Sequence, residues 1–371
     1  MRKNSIMRKA LSAGLCVAMS GLLLAGCQSN SASETTAAAE TTAAASEDAG
    51  ETEATEAAEE EAGSEAAPAT DFPTKEIEFI VPVNPGGSSD TVARALAKYA
   101  EEYLGQPMVV TNMAGGASTL GTAECINSEP DGYTLVYPPV GAVCVQPHYG
   151  QISYTYTDLT PICQISEEDC VLVVPKDTFA TLEDMVAYGK ENPGAIKYGN
   201  SSQGGPVHMV LAKLFSDEGI ESEAIGYQGS SEVKAALMGG HITAGAMHPA
   251  EVLPIIESGD VVPLAISTSD GERNPSLPDV PTFKELGYDI TFTVWKGVFG
   301  PADMPAEVVA VLEEAFNNIC TDEEFVAELD AIGQTVDYMD TETFTEKVKN
   351  DFDYYGQVID EVGMKEIMNA Q

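Results

Sequence analysis

Three short stretches carry residue types suited to holding an anion: Gly86-Gly87-Ser88-Ser89, Gly115-Gly116-Ala117-Ser118 and Ser201-Ser202-Gln203-Gly204. Each combines glycine, which lets the backbone approach a ligand closely, with small hydroxyls at the start of a helical pattern. The first N–H groups of a helix have no partner within it, and the helix dipole adds partial positive charge there. A carboxylate accepts such bonds well. Asp90 follows the first stretch and cannot itself hold an anion. It reads as a cap for its helix, or as an acceptor for a ligand donor or an ordered water.

Competing chemistries lack parts. The nearest approach to a nucleophile elbow, Gly199-Asn200-Ser201-Ser202-Gln203, has no closing glycine. The four histidines, His148, His208, His241 and His248, show no zinc-ligand spacing. Pro85-Gly86-Gly87-Ser88-Ser89-Asp90 matches neither a phosphate-binding loop with its lysine nor a dinucleotide fingerprint. No cofactor and no metal are implied, and the expectation is a binding protein, not an enzyme. An exported ester hydrolase using Ser201 or Ser202 is the enzymatic alternative. A ligand-sensing module docking to a membrane receptor is the third reading.

The elements that would position these turns alternate. The apolar run Ile77 to Val83 predicts a buried strand, and Val92, Leu96, Tyr99 and Leu104 follow at helical spacing up to Gly105. Met108 to Thr111 and Tyr133 to Tyr137 predict further strands. The pattern restarts with a strand at Ile196 to Gly199, a helix from Pro206 to Phe215, and a strand at Ala224 to Tyr227. Thr243 to Met247, Val262 to Ser267 and Ile290 to Val298 read as strands, and three helices close the chain from Ala306. Such alternation predicts α/β layers with mainly parallel sheets, and two sets predict two lobes. Ligands in such sheets sit beyond the carboxyl ends of strands, where these turns fall.

The 371 residues hold 18 basic and 59 acidic side chains, a formal charge of -41. Nucleic acid is excluded as a partner, since that function needs a basic footprint. Residues 1–27 read as a lipoprotein signal peptide: Arg2, Lys3, Arg8 and Lys9 precede the apolar Leu11 to Leu24. Leu24-Ala25-Gly26-Cys27 resembles a bacterial lipobox, which makes Cys27 the lipidated residue and the chain extracytoplasmic and membrane-anchored. Residues 28–71 read as a disordered acidic tether rich in Ala, Thr and Glu. Setting aside the four presequence bases and the eleven acids from Glu34 to Glu65 leaves 14 basic and 48 acidic residues, so the folded part still carries about -34. An anion site here has to work through locally aimed N–H groups, with distant charge screened over roughly 8–10 Å. No cysteine pair forms Cys-x-x-Cys, and pairing among the five beyond Cys27 is left open.

From Phe72 nearly to its end the chain resembles the Bug-type substrate-binding proteins of tripartite tricarboxylate transporters. The matching residues are Val81 to Arg94, Leu104-Gly105-Gln106-Pro107 with Asn112, Gly121-Thr122-Ala123 and Pro130-Asp131-Gly132-Tyr133-Thr134-Leu135. Tyr198-Gly199, Ser201-Ser202 and His208 follow, and Tyr227 with Gly229-Ser230 is similar to the family's Tyr-Lys-Gly-Ser. Leu277 to Thr282 and Trp295-Lys296-Gly297 with Pro301 complete the set.

The resemblance implies a two-lobed, periplasmic-binding-protein-like fold of the type II, Venus-flytrap kind, with two crossover strands near Val171 and Trp295. Lobe 1 is then 72–171 plus 295–371, and lobe 2 is 172–294. It implies a small carboxylate ligand, mono-, di- or tricarboxylate, held between the lobes and delivered to membrane permease subunits driven by an ion gradient. The ligand positions it carries over are Gly86, Gly87, Ser88, Ser89 and Asp90, then Gly116, Ala117 and Ser118, then Ser201, Ser202 and Gln203. Where the family usually shows an aspartate, this chain has Met247 followed by His248. An apolar residue there disfavours a ligand amine and suits an apolar or second anionic end, with His248 as a donor.

Overall fold

The computed structural model describes residues 70–369 apart from 228 and 333. The signal peptide, Cys27 and nearly all of the tether lie outside these residues. The first sheet contains β1 (Ile77–Val81), β2 (Met108–Asn112), β3 (Thr134–Val136) and β4 (Leu159–Glu168). Helices α1 (Ser88–Leu104) and α2 (Thr119–Ile126) connect its first three strands. Then come β5 (Cys170–Pro175), α3 (Leu182–Glu191), β6 (Ile196–Asn200), α4 (Pro206–Asp217), β7 (Ser222–Gly226) and α5 (Ser230–Met238). They are followed by β8 (Ala244–Met247), α6 (Pro249–Glu257) and β9 (Val261–Ser267). The chain returns through β10 (Val294–Pro301) and finishes with α7 (Ala306–Thr321), α8 (Glu323–Ala331), α9 (Thr341–Glu361) and α10 (Met364–Asn369).

The strands form two five-stranded sheets of matching plan, β2-β1-β3-β10-β4 and β7-β6-β8-β5-β9. In the first, β1 pairs in parallel with β2 and β3, while β10 runs antiparallel to β3 and β4. In the second, β6 pairs in parallel with β7 and β8, while β5 runs antiparallel to β8 and β9. The sheets are therefore mixed, not mainly parallel. The strand that carries the chain from one lobe to the other enters its new sheet reversed. Local alternation of strand and helix does not announce that, because it is decided by where a distant strand is inserted. The chain passes from the first sheet to the second across Asp169 alone, between β4 and β5.

Burial explains the run-like strands. Ile77, Phe79, Ile80 and Val81 of β1 are buried because helices cover both faces of the sheet. Helix α1 buries Val92, Leu96, Ala100 and Leu104, four residues apart, and ends where Gly105 adopts φ 67°. One core cluster lies in the first lobe and joins β1, α1, α7 and α8, and another lies in the second lobe among β5, α5 and α6. A third is continuous through both, from Ile80 and Phe299 through Phe344 and Tyr355 of α9 to Leu172, Met209 and Phe215. The five cysteines described, Cys125, Cys144, Cys163, Cys170 and Cys320, are all free and buried.

Candidate functional site

Each of the three turns follows the carboxyl end of a parallel strand, and each is built differently. In the first, Gly86 at φ 88° turns the chain so that its N–H donates to Asp90 Oδ2 at 2.8 Å. The Asp90 carboxylate also receives Arg94 Nε at 3.0 Å and Asn112 Nδ2 at 2.8 Å, and Arg94 Nη2 lies 3.0 Å from its Oδ1. Asn112 closes the network onto Val83 O at 3.2 Å and Arg94 Nη2 at 2.7 Å. Asp90 thus ties the turn, α1 and the end of β2 together, and its oxygens are occupied by protein donors. Burial alone would raise its pKa, but Arg94, Gly86 and Asn112 hold it below the usual value. With the carboxylate fixed behind the turn, Gly87 and Ser88 stay exposed, and the first-turn N–H groups of α1 have no acceptor within the helix.

The second turn carries conformational strain. Gly115 and Gly116 adopt positive φ, as glycine readily does, but Ala117 (φ 54°) and Ser118 (φ 73°) do so as well. A non-glycine residue there costs about 1–3 kcal/mol, and such outliers gather at ligand clamps. The run turns carbonyls toward α2: Gly116 O accepts from Thr119 N and from Thr119 Oγ1 at 2.7 Å, and Ser118 O from Thr122 Oγ1 at 2.8 Å.

The third turn is held by a histidine and by the opposite lobe. His208 is fully buried on α4, and its Nδ1 accepts the Gly204 N–H at 3.0 Å. That bond fixes the neutral tautomer, so Nε2–H donates to Tyr198 Oη at 3.0 Å. Burial pushes the imidazole pKa down to about 4. With both ring nitrogens engaged, His208 does not serve Ser201 or Ser202 as a base. Tyr149, which precedes β4, donates to Gly204 O at 2.6 Å. Asn200 ends β6 fully buried, and no donor among the described residues reaches its Oδ1.

Two positions fall elsewhere. Met247 is fully buried and packs in the second lobe's core with Val171, Val233 and Ile266. The alternation that put it at the end of β8 did not say which face its side chain takes. His248 starts α6, and its Nδ1 donates to Asp169 O at 2.9 Å. Its ring lines a cavity of about 900 Å³ with Glu167, Asp169, Thr268, Arg273 and Asp337. None of the three turns lines that cavity, nor a second one of about 570 Å³ against Lys75, Glu78 and Tyr133.

A residue not singled out from sequence joins the first turn. Lys296 of β10 is 3% exposed, and its Nζ lies 3.3 Å from Ser88 Oγ and 2.5 Å from Glu168 Oε2. Burial would raise the Glu168 pKa, yet Lys296, then His248 and Gln334, hold it down at about 2. Nearby, Lys347 pairs with Glu167 at 3.0 Å, and Asp351 accepts Trp295 Nε1 at 2.6 Å. Ion pairs therefore bind β4, β10 and α9 where the chain changes lobe.

Two matching sheets joined by reversed crossing strands, with glycine turns at the carboxyl ends, define a two-lobed solute-binding protein. The chain matches the tripartite tricarboxylate transporter family receptor over residues 92–364, and it belongs to that family. It is 32% identical to BugT of Bordetella pertussis over 277 residues, 73% of this chain and 84% of that protein. A TctC solute-binding protein from Polaromonas, solved without ligand, superposes with TM-score 0.72 at 28% identity, covering 78% of this chain and 99% of the other. A protein of R. palustris solved with adipate superposes with TM-score 0.66 at 25% identity, over 79% of this chain and 99% of that one.

Proposed function

We propose that the protein captures a small carboxylate between its lobes and delivers it to the permease subunits of a tripartite tricarboxylate-type transporter, while Cys27 carries a lipid anchor on the outer side of the membrane. The clamp consists of Gly86, Gly87, Ser88 and Ser89 with Gly116, Ala117 and Ser118 on the first lobe, and Ser201, Ser202 and Gln203 on the second. Asp90 and His208 position the turns and do not touch ligand. The strained run at Ala117 and Ser118 carries the reading, because a left-handed backbone at two non-glycine residues needs a reason beyond connecting a strand to a helix. The adipate-bound relative supports a ligand with two carboxylates.

Thermal shift tests this directly, since a ligand stabilises by RT ln(1 + [L]/Kd), about 2.7 kcal/mol at a hundredfold excess over Kd. Linear dicarboxylates, tricarboxylates, aromatic acids, amino acids and a neutral sugar form the panel. A carboxylate should raise the melting temperature. A shift with the sugar and with no carboxylate would refute the clamp. The anchor is tested separately: a Cys27→Ser variant should leave the membrane fraction and lose incorporation of labelled fatty acid.

A further inference from the structure

The first turn has no basic residue of its own, and Arg94 is committed to Asp90 and Asn112. Lys296 reaches the turn from β10, and two features show that it is placed there. The pairing of β10 with β4 shifts register between Lys296 and Gly297, an irregularity that re-aims side chains and is frequent beside functional sites. The lysine is also almost wholly buried, yet its ammonium ends at the hydroxyl of an exposed residue, Ser88. A lysine has three donors, and Glu168 and Ser88 account for two of them.

We propose that Lys296 is the residue that reads the ligand's negative charge, donating to a carboxylate seated on the N–H groups and hydroxyl at Ser88 in exchange for part of its pairing with Glu168. The inference rests on the reading that the first glycine turn holds a carboxylate. Glu168 tolerates the exchange because Gln334 Nε2 stands 3.4 Å from its other oxygen. The pair also lies where the lobes join: Glu168 is the last residue of β4, and Lys296 is the third residue of β10. Ligand charge therefore acts on both connections between the lobes. A full carboxylate draws the ammonium toward Ser88, whereas an amide of the same shape does not. Lys296 accordingly sets the discrimination between an ionised ligand and its neutral isostere.

The test uses linear dicarboxylates from malonate to adipate, and the diamide of each, titrated calorimetrically. Three proteins are compared: the native chain, Lys296→Arg, and the double variant Lys296→Met/Glu168→Gln, which leaves no lone buried charge. The native protein and Lys296→Arg should prefer the acid. The double variant should lose roughly tenfold to a hundredfold of the acid-over-amide preference, the scale of one hydrogen bond to a charged group. That preference is a ratio within one protein, so a general loss of stability does not imitate it. If the native protein binds an acid and the double variant keeps the same preference, the inference falls and the clamp stands. If no acid binds the native protein, the clamp falls and the inference with it.

Discussion

Asp90 places a negative charge at the turn meant for anions, and its neighbours turn that charge into structure. Replacing it with Ala leaves the Gly86 N–H without its acceptor and Asn112 Nδ2 with Val83 O alone, which should cost about 1–3 kcal/mol in urea unfolding. The half-exposed Arg94 adds little to that figure. Because the folded pKa of Asp90 lies below 3.8, its contribution is complete above that pH and fades as pH falls through the folded value. The Asp90→Ala variant should therefore lose less stability on acidification below pH 4 than the native protein does, as acid titrations of the two would show. The sequence marked Asp90 as a capping candidate, and Arg94 stands one helical turn away from it. It could not place Lys296, which lies 208 positions from Ser88 and takes its direction from a register shift that pairs two distant strands. It could not place Met247 either, because a buried strand presents apolar residues to both faces.

At the scale of elements, glycine spacing was the most legible signal, since each turn falls where a strand meets a helix. The reasons for the spacing emerge only from packing. At Gly121 an added Cβ would lie 2.9 Å from Met113 O and 3.0 Å from Ile80 Cγ2 and Pro82 Cβ, so α2 must move off β1 to admit it. Gly121→Ala should destabilise by about 1–3 kcal/mol and weaken carboxylate binding by displacing the second turn, read by chemical denaturation and calorimetry together. His208→Phe removes the acceptor for the Gly204 N–H and the donor to Tyr198, with an expected loss of about 1–3 kcal/mol. Helix α6 was not legible because Pro249 and Pro254 break the helical pattern, although Pro249 at the first turn needs no N–H. Strand β4 drew no strand reading from the sequence, although it pairs with β10 along its length.

For the whole molecule, acidity and fold pull in opposite directions, and pH separates them. Asp169, at the passage between lobes, is pushed up to about 6 by burial and by Glu167, Asp270 and Asp337, against the bond from Asn274. A raised carboxylate favours the folded state when protonated, so its contribution grows as pH falls from 6 toward 3.8. His208, held at about 4 against 6.5, acts in reverse: the unfolded state takes up the proton first, and stability falls over that window. Asp169→Asn should gain stability over the native protein at pH 7 and lose the advantage by pH 4, as paired melting curves across that range would show. Two lobes were legible in the repeated strand, turn and helix, but the shared core through α9 was not, because it joins residues from both ends of the chain. Binding is the central claim, and its most direct measurement is calorimetric titration of the protein with linear dicarboxylates and with a neutral sugar. One carboxylate per chain is the predicted result; heat from a neutral sugar and none from any carboxylate would contradict it.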